Sequence, residues 1–251
     1  MFNTLTEELV VCGFNAVEAL GQMHPERINR LFLREDRFPV FTRVCKGLAE
    51  RRRPYKVCEN EELERISKSY HHQGVVAMIQ APEQIPLEHD ELDQWSAENL
   101  TGIVLDSVGN DHNLGAIIRS AAFFDAHFVV LSERDEASFL TTSAYRVAEG
   151  GMEYVEIRTV RNMVGFLRSA GKSMTVIGAD PHSRLRIRDM KSLIPERKTG
   201  IALVVGNEEW GLDPDIKASC SILMRIPGIG ALESLNVAQA ATLFLHELYE
   251  L

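Results

Sequence analysis

A chain of 251 residues with 45% apolar content can bury a sizeable core as one large domain or as a small and a mid-sized one, which excludes wholesale disorder. No apolar run approaches the ~20 residues of a membrane span, the start Met1–Glu8 is acidic where a signal peptide is basic, and four cysteines without CxxC spacing argue against a disulfide framework or a zinc site. A cytoplasmic protein without membrane or metal partners is expected, and its net charge of −9 opposes nucleic-acid binding only until it is divided: +1 over 1–82, −6 over 83–98 and −4 over 99–251.

In chain order, residues 1–82 alternate helix at Gly13–Leu20, strand at Ile28–Leu33, helix at Phe41–Arg52, strand at Tyr55–Cys58, helix at Glu61–Ile66 and strand at Val75–Ile79. That pattern is a small α/β domain. Residues 83–98 carry six acids, no base and Pro86, and show neither helical nor strand period, so they read as an acidic linker. Residues 99–251 hold apolar runs at Gly102–Leu105, Phe128–Leu131, Tyr154–Ile157, Met174–Gly178, Ile201–Val205 and Ile222–Ile226. Continuous runs of this kind suit strands buried on both faces. Helical patterns between them, such as Leu114, Ile117, Ile118 and Ala121, then Val164, Phe166 and Leu167, complete a mostly parallel sheet covered by helices. Ligands of such sheets bind at the carboxyl ends of the strands.

Three strand-to-loop junctions carry chemistry. In the first, Asp106–Ala121, Asn113 is placed to cap a helix, and Arg119 follows between apolar neighbours. Such an arginine needs an anionic partner or a route to water, or sits in a surface ion pair. In the second, Val204–Leu212, Gly206-Asn207-Glu208-Glu209 ends an apolar strand in a glycine-flanked turn. It is either a ligand loop or a turn with solvated acids. In the third, Ile226–Ala241, a glycine-containing loop leads to Ser234, placed to cap the last helix, and Val237 starts that helix's buried face. Neither the dinucleotide fingerprint nor the P-loop is present.

Taken together, the junctions N-x-G-A-I-x-R-S-A (Asn113–Ala121), G-N-E-x-x-G-L (Gly206–Leu212) and I-P-x-x-G-x-x-x-S-L-N-V-x-x-A (Ile226–Ala240) resemble the three signature motifs of the SpoU (TrmH-type) RNA ribose 2′-O-methyltransferases. Cys12–Leu20 and His72–Ala77 resemble the two ends of the ribosomal-protein-like substrate-binding domain found in many members. The resemblance implies a C-terminal α/β trefoil-knot (SPOUT) domain, a homodimer, and S-adenosylmethionine held by the second and third motif loops, with Gly206, Ile226 and Leu235 at the cofactor positions. Nothing in the periodicity indicates the knot. The resemblance also places Arg119 at the centre of the reaction, with Asn113, Glu208, Ser234 and Asn236 around it.

A 2′-hydroxyl is a poor nucleophile that must be aligned with the methyl donor and helped to lose its proton. An arginine stays charged, so Arg119 is expected to bind the adjacent phosphate and stabilise developing alkoxide, with Glu208 orienting Arg119 or its neighbours and Ser234 and Asn236 ordering the loop and holding cofactor or ribose. Asp111, where many relatives have proline, and Gly228, where methionine is common, depart from the family pattern, and His112 is read as a loop or RNA-contact residue. For RNA the candidates are Arg51, Arg52 and Arg53 with Tyr55 and Lys56, Arg43 and Lys46 upstream, Arg146 in the catalytic domain, and the run Arg184, Arg186, Arg188. Each also reads as a solvated surface. The alternative functions are a base or small-molecule methyltransferase, and an RNA-binding or assembly factor that keeps the fold without turnover. The motifs leave rRNA and tRNA open as substrates, the substrate-binding unit leaning toward rRNA.

Overall fold

The computed structural model describes residues 2–3, 8–133, 140–194 and 199–251. The chain divides into two units: Met1–Glu83 with the described part of Phe139–Tyr154, and Gln84–Ser138 with Val155–Leu251.

The first unit is built on a five-stranded mixed sheet. In chain order it contains β1 (Phe2–Asn3), β2 (Glu8–Cys12), α1 (Phe14–Met23), β3 (Ile28–Leu33), α2 (Phe38–Glu50), β4 (Tyr55–Val57), α3 (Asn60–Ser67) and β5 (Val75–Gln80). The strands lie in the order β1-β2-β5-β3-β4, antiparallel except for β3 with β4. The sequence reading lacks β2, whose five residues are all buried and pair with β5 from Glu8↔Gln80 to Cys12↔Val76. A run that short carries no period of its own, and its partner decides its state. The carboxylate of Glu8 at its start is taken by Arg30 and Asn29 of β3.

The segment 83–98, expected to be a linker, is a correction. Glu88 caps α4 (His89–Ala97) in a reciprocal capping box with Glu91, and Leu92 and Trp95 enter the core of the second unit. Trp95 stacks on Phe128 with centroids 4.0 Å apart. With only two core positions in nine residues the apolar stripe is too sparse to read, and tertiary packing supplies the stability.

Chain order continues through β6 (Thr101–Leu105), α5 (Asp111–Phe123) and β7 (Phe128–Ser132) of the second unit to α6 (Thr142–Ala148), which belongs to the first. There α6 packs on β2, and the turn after it lies against α1. Gly150 takes φ +96, and a Cβ there would meet Ala19 Cβ at 2.8 Å and Asn15 O at 3.0 Å, so glycine is required on both counts. Residues 140–154, inside the expected 99–251 domain, thus pack with the first unit: the chain after β7 contributes an element there, a long-range choice that composition does not mark.

The second unit then adds β8 (Glu156–Val160), α7 (Met163–Ala170), β9 (Thr175–Ala179), α8 (Met190–Leu193), β10 (Ile201–Val205), α9 (Pro214–Ser219), β11 (Ile222–Met224) and α10 (Val237–Tyr249). Its six strands run β11-β9-β10-β6-β7-β8, and every pairing is parallel. The strand read from Tyr154 begins at Glu156, because Tyr154 closes a helical turn. Every residue of β6 and β10 is buried, which is why these central strands read as continuous apolar runs. The chain leaves β11 at one edge and returns as α10 against α5 and β10 near the middle of the sheet. No helix among the described residues is long and apolar enough to cross a membrane.

Candidate active site

Because all six strands are parallel, the loops after β6, β10 and β11 emerge at one edge of the sheet. The first begins at Asp106, whose amide donates to Val205 O of β10, and turns at Ser107 with φ +60. Its helix α5 is capped by Asn110, whose side chain accepts from His112 N at 2.8 Å. Asn113, expected to cap, is instead the third residue of the helix, with its side chain released for other work.

That side chain ties the three junctions together. Asn113 Nδ2 donates to Glu208 Oε1 at 2.5 Å, and Asn113 Oδ1 accepts from Asn236 Nδ2 at 3.0 Å. Asn236 also caps α10, accepting from Ala238 N at 2.9 Å, so the cap expected of Ser234 falls two residues later. Ser234 stands in the exposed loop before it. Arg119 is exposed on α5, about 9 Å along the axis and about 120° around it from Asn113 by helix geometry, and the bonds linking Asn113, Glu208 and Asn236 do not include it.

The second loop is held by residues the sequence reading did not single out. Asn207 Nδ2 donates to Ser107 O at 2.8 Å, its Oδ1 accepts from Glu209 N at 2.8 Å, and its backbone pairs with Gly211 in both directions. Asp106 Oδ2 accepts from Asp213 N at 3.1 Å. The signal available was an Asn in a turn directly after a strand, where its side chain binds nearby backbone. A Cβ on buried Gly206 would come within 2.5 Å of Gly211 C and O, so this glycine is needed first for the loop to close on itself. Cys220 is no nucleophile for this edge: burial, with the nearby charge of Asp106, pushes its thiol up to about 12.

The third loop differs from both. Every residue from Pro227 to Asn236 is exposed, including Ile229, Leu232 and Leu235, while Ile226 at its root is half-buried. Trp210 of the second loop is exposed as well. Accessible backbone beside apolar side chains is the chemistry an adenosine-bearing ligand requires, a flat apolar ring with polar edges, so the residues present fit S-adenosylmethionine. A cavity of about 370 Å³ lined by Leu87, Leu92, Thr159, Asn162 and Phe166 lies toward the β8 edge and contains none of these residues. Among the described residues no cluster of three or more His, Cys, Asp or Glu is arranged to hold a metal ion.

The RNA candidates separate. Arg51 and Arg52 are exposed at the end of α2, Arg52 in a left-handed turn with φ +56. Arg53 is instead a clamp, its Nη1 donating to the carbonyls of Glu26 at 2.5 Å and Ile28 at 2.6 Å. Lys56 is held by Glu62 at 2.7 Å. Arg146, expected in the catalytic domain, lies half-buried on α6 in the first unit, where its charge acts on the Cys12 thiol.

Residues 101–246 match the family model described as the SpoU rRNA Methylase family, and residues 10–85 match the model for RNA 2′-O ribose methyltransferase substrate binding. The chain is 33% identical over 246 residues to the 23S rRNA (guanosine-2′-O-)-methyltransferase RlmB of Acinetobacter baylyi, covering 94% of each chain. Two solved structures share the fold: the S-adenosylmethionine-bound rRNA methyltransferase from Sinorhizobium meliloti, with TM-score 0.76, 23% identity and coverage of 97% of this chain and 87% of that one, and the SpoU methyltransferase AviRb from Streptomyces viridochromogenes with the same cofactor, with TM-score 0.70, 22% identity and coverage of 98% and 91%.

Proposed function

The chain belongs to the SpoU rRNA methylase family, and from that premise we propose the following reading of its site. The protein is an S-adenosylmethionine-dependent RNA methyltransferase that methylates a ribose 2′-hydroxyl. Its target is a guanosine of 23S rRNA, the substrate named for the Acinetobacter relative, and it works in the cytoplasm as a homodimer. The observation that carries the reading is the Asn113 side chain, which joins the loops after β6, β10 and β11 through Glu208 and Asn236.

When bound, the cofactor supplies an electrophilic methyl group. The chain's own residues do the rest. Gly206, Ile226 and Leu235 border the cofactor position, Gly206 by closing its loop and Leu235 by presenting an exposed apolar side chain. Asn113 and Asn236 fix the loop geometry, and Glu208, anchored by Asn113, places a carboxylate at the rim of the site. The Arg119 guanidinium binds the phosphate beside the target and stabilises negative charge as the 2′-hydroxyl gives its proton to solvent water. Ser234, in the exposed loop, hydrogen-bonds the ribose or the cofactor. Arg51, Arg52 and Arg146 contact RNA, and Arg53 contributes by anchoring the chain just after Arg51 and Arg52 to the Glu26 and Ile28 carbonyls.

The test is transfer of labelled methyl from S-adenosylmethionine to total RNA of a strain lacking the protein, followed by digestion and nucleoside analysis. A 2′-O-methylguanosine that appears with wild type and not with Arg119→Ala supports the reading. Labelled base or no RNA label with wild type overturns it. Arg119→Lys sharpens the role, because a lysine that preserved full activity would remove any need for guanidinium geometry.

A further inference from the structure

Beyond β9 and β11 the chain carries four arginines that the active-site reading does not use, three on one short segment and one paired with it. Arg184 and Arg188 are exposed, and Arg186 and Arg225 are half-buried. Arg186 and Arg225 stand in register in a parallel bridge, fixed by Arg225 N donating to Leu185 O at 2.9 Å and Ile187 N to Arg225 O at 2.8 Å. Residues in parallel register present their side chains on the same face. Among the described residues no carboxylate pairs with Arg184, Arg188 or Arg225. Asp180, the nearest acid after β9, is held by Lys217 at 3.4 Å, and Asp189 accepts from the Arg186 amide.

Arg225 adds an independent observation. Its Nε is buried and has no hydrogen-bond acceptor. A buried donor on a permanent cation is costly to leave unmet, and such an orphan calls for a missing anionic or polar partner. Four guanidinium groups with an unmet donor among them fit a phosphate, which offers several acceptor oxygens to a planar fork. The position fits as well. β9, from which this segment leaves, lies one strand from β10 and two from β6 in an all-parallel sheet, so the segment and the Asn113 cluster follow strands that end at the same carboxyl edge.

We propose that Arg184, Arg186, Arg188 and Arg225 form a phosphate-binding ridge that holds the RNA backbone beside the target nucleotide. The inference rests on the RNA reading above and deepens it. The ridge positions and carries no sequence information, as phosphate contacts do.

The experiment measures binding of the full chain to a labelled single-stranded oligoribonucleotide of about 20 nucleotides across a range of KCl concentrations. Arg184→Ala/Arg188→Ala should lower affinity by on the order of tenfold and reduce the slope of log affinity against log salt by about 1.4, roughly 0.7 for each lost phosphate contact on a single strand. Arg184→Lys/Arg188→Lys should restore the slope, since it keeps the charges. An unchanged slope in the alanine variant overturns the ridge. Calorimetry of S-adenosylmethionine binding to Arg225→Met separates the two sources of anion: a reduced salt slope with unchanged cofactor affinity supports the RNA phosphate, whereas weakened cofactor binding with the full slope assigns the anion to the cofactor carboxylate and overturns the place of Arg225. The readout is binding, so a wild type that transfers no methyl yet shows the slope change would sink the enzymatic reading and leave the ridge standing.

Discussion

In the first unit, Arg27, Arg30, Arg34 and Lys56 are held by Glu153, Glu8, Asp36 and Glu62, and Arg53 by two backbone carbonyls. In the second, beyond β9 and β11, Arg184, Arg188 and Arg225 pair with no described carboxylate. Both regions are rich in arginine by sequence, but most of these first-unit cations hold that unit together. A mixed sheet with an added helix must anchor pieces distant in sequence, and charged pairs do some of that anchoring. A parallel sheet is held by its buried strands, and the loops at its carboxyl edge stay available for ligands.

The largest expected effect breaks the anchoring side of this contrast. Arg27 donates to Glu153 Oε2 at 2.8 Å and to the Tyr145 hydroxyl at 2.7 Å, and Glu153 is buried. Arg27→Met removes the nearest counter-charge of that carboxylate and leaves His24 Nε2 at 4.0 Å, at a cost of about 3–5 kcal/mol in chemical denaturation near neutral pH. Burial raises the Glu153 pKa, against the pull of Arg27. A carboxyl raised in the folded state binds its proton more tightly there than in the unfolded chain, so this contribution to stability is complete below the unfolded value of ~4.3 and is lost as pH rises through the folded pKa. The variant's deficit should therefore shrink on acidification from pH 7.5 toward 5, and a deficit that grew would refute the assignment.

The next effect is catalytic. Asn113→Ala severs the bonds to both Glu208 and Asn236, and should reduce methyl transfer on the order of 10²-fold, about 2.7 kcal/mol, while thermal stability changes little because the side chain is at the protein surface. Equal loss in stability and activity would make Asn113 a structural residue. Arg53→Ala should cost about 2 kcal/mol by orphaning two carbonyls, whereas Arg51→Ala should leave stability unchanged and weaken RNA binding. The reverse pattern would erase the distinction between anchoring and available cations. The smallest effect is Glu88→Ala, expected to destabilise by about 1 kcal/mol through loss of the α4 capping box, measured by thermal unfolding.

Much of the second unit was legible because β6, β7, β9 and β10 are apolar over consecutive residues, a pattern set by burial on both faces. The candidate residues Asn113, Glu208 and Asn236 stand out in the sequence as members of motifs, but their bonding does not: Asn110 and Asn236 cap the helices assigned to Asn113 and Ser234. Several short polar residues lie within two or three positions of each helix start, and the exact cap depends on where the preceding strand releases the chain. Trp95 in its acidic segment and α6 in its distant sheet were not legible, since neither has a periodic pattern and both depend on partners far along the chain.

The sequence by itself determined the alternation of strands and helices, the three junctions and the family they resemble, because apolar periodicity and short motifs are local properties of the chain. Tertiary structure alone decided that residues 140–154 join the first unit, that 83–98 become a core helix, that Arg53 is a clamp, and that one asparagine side chain ties the three loops. Those outcomes depend on which groups meet across a hundred or so residues of chain, as Asn113 meets Glu208 and Asn236. Burial, competing acceptors and strand order settle that question, and no local pattern encodes them.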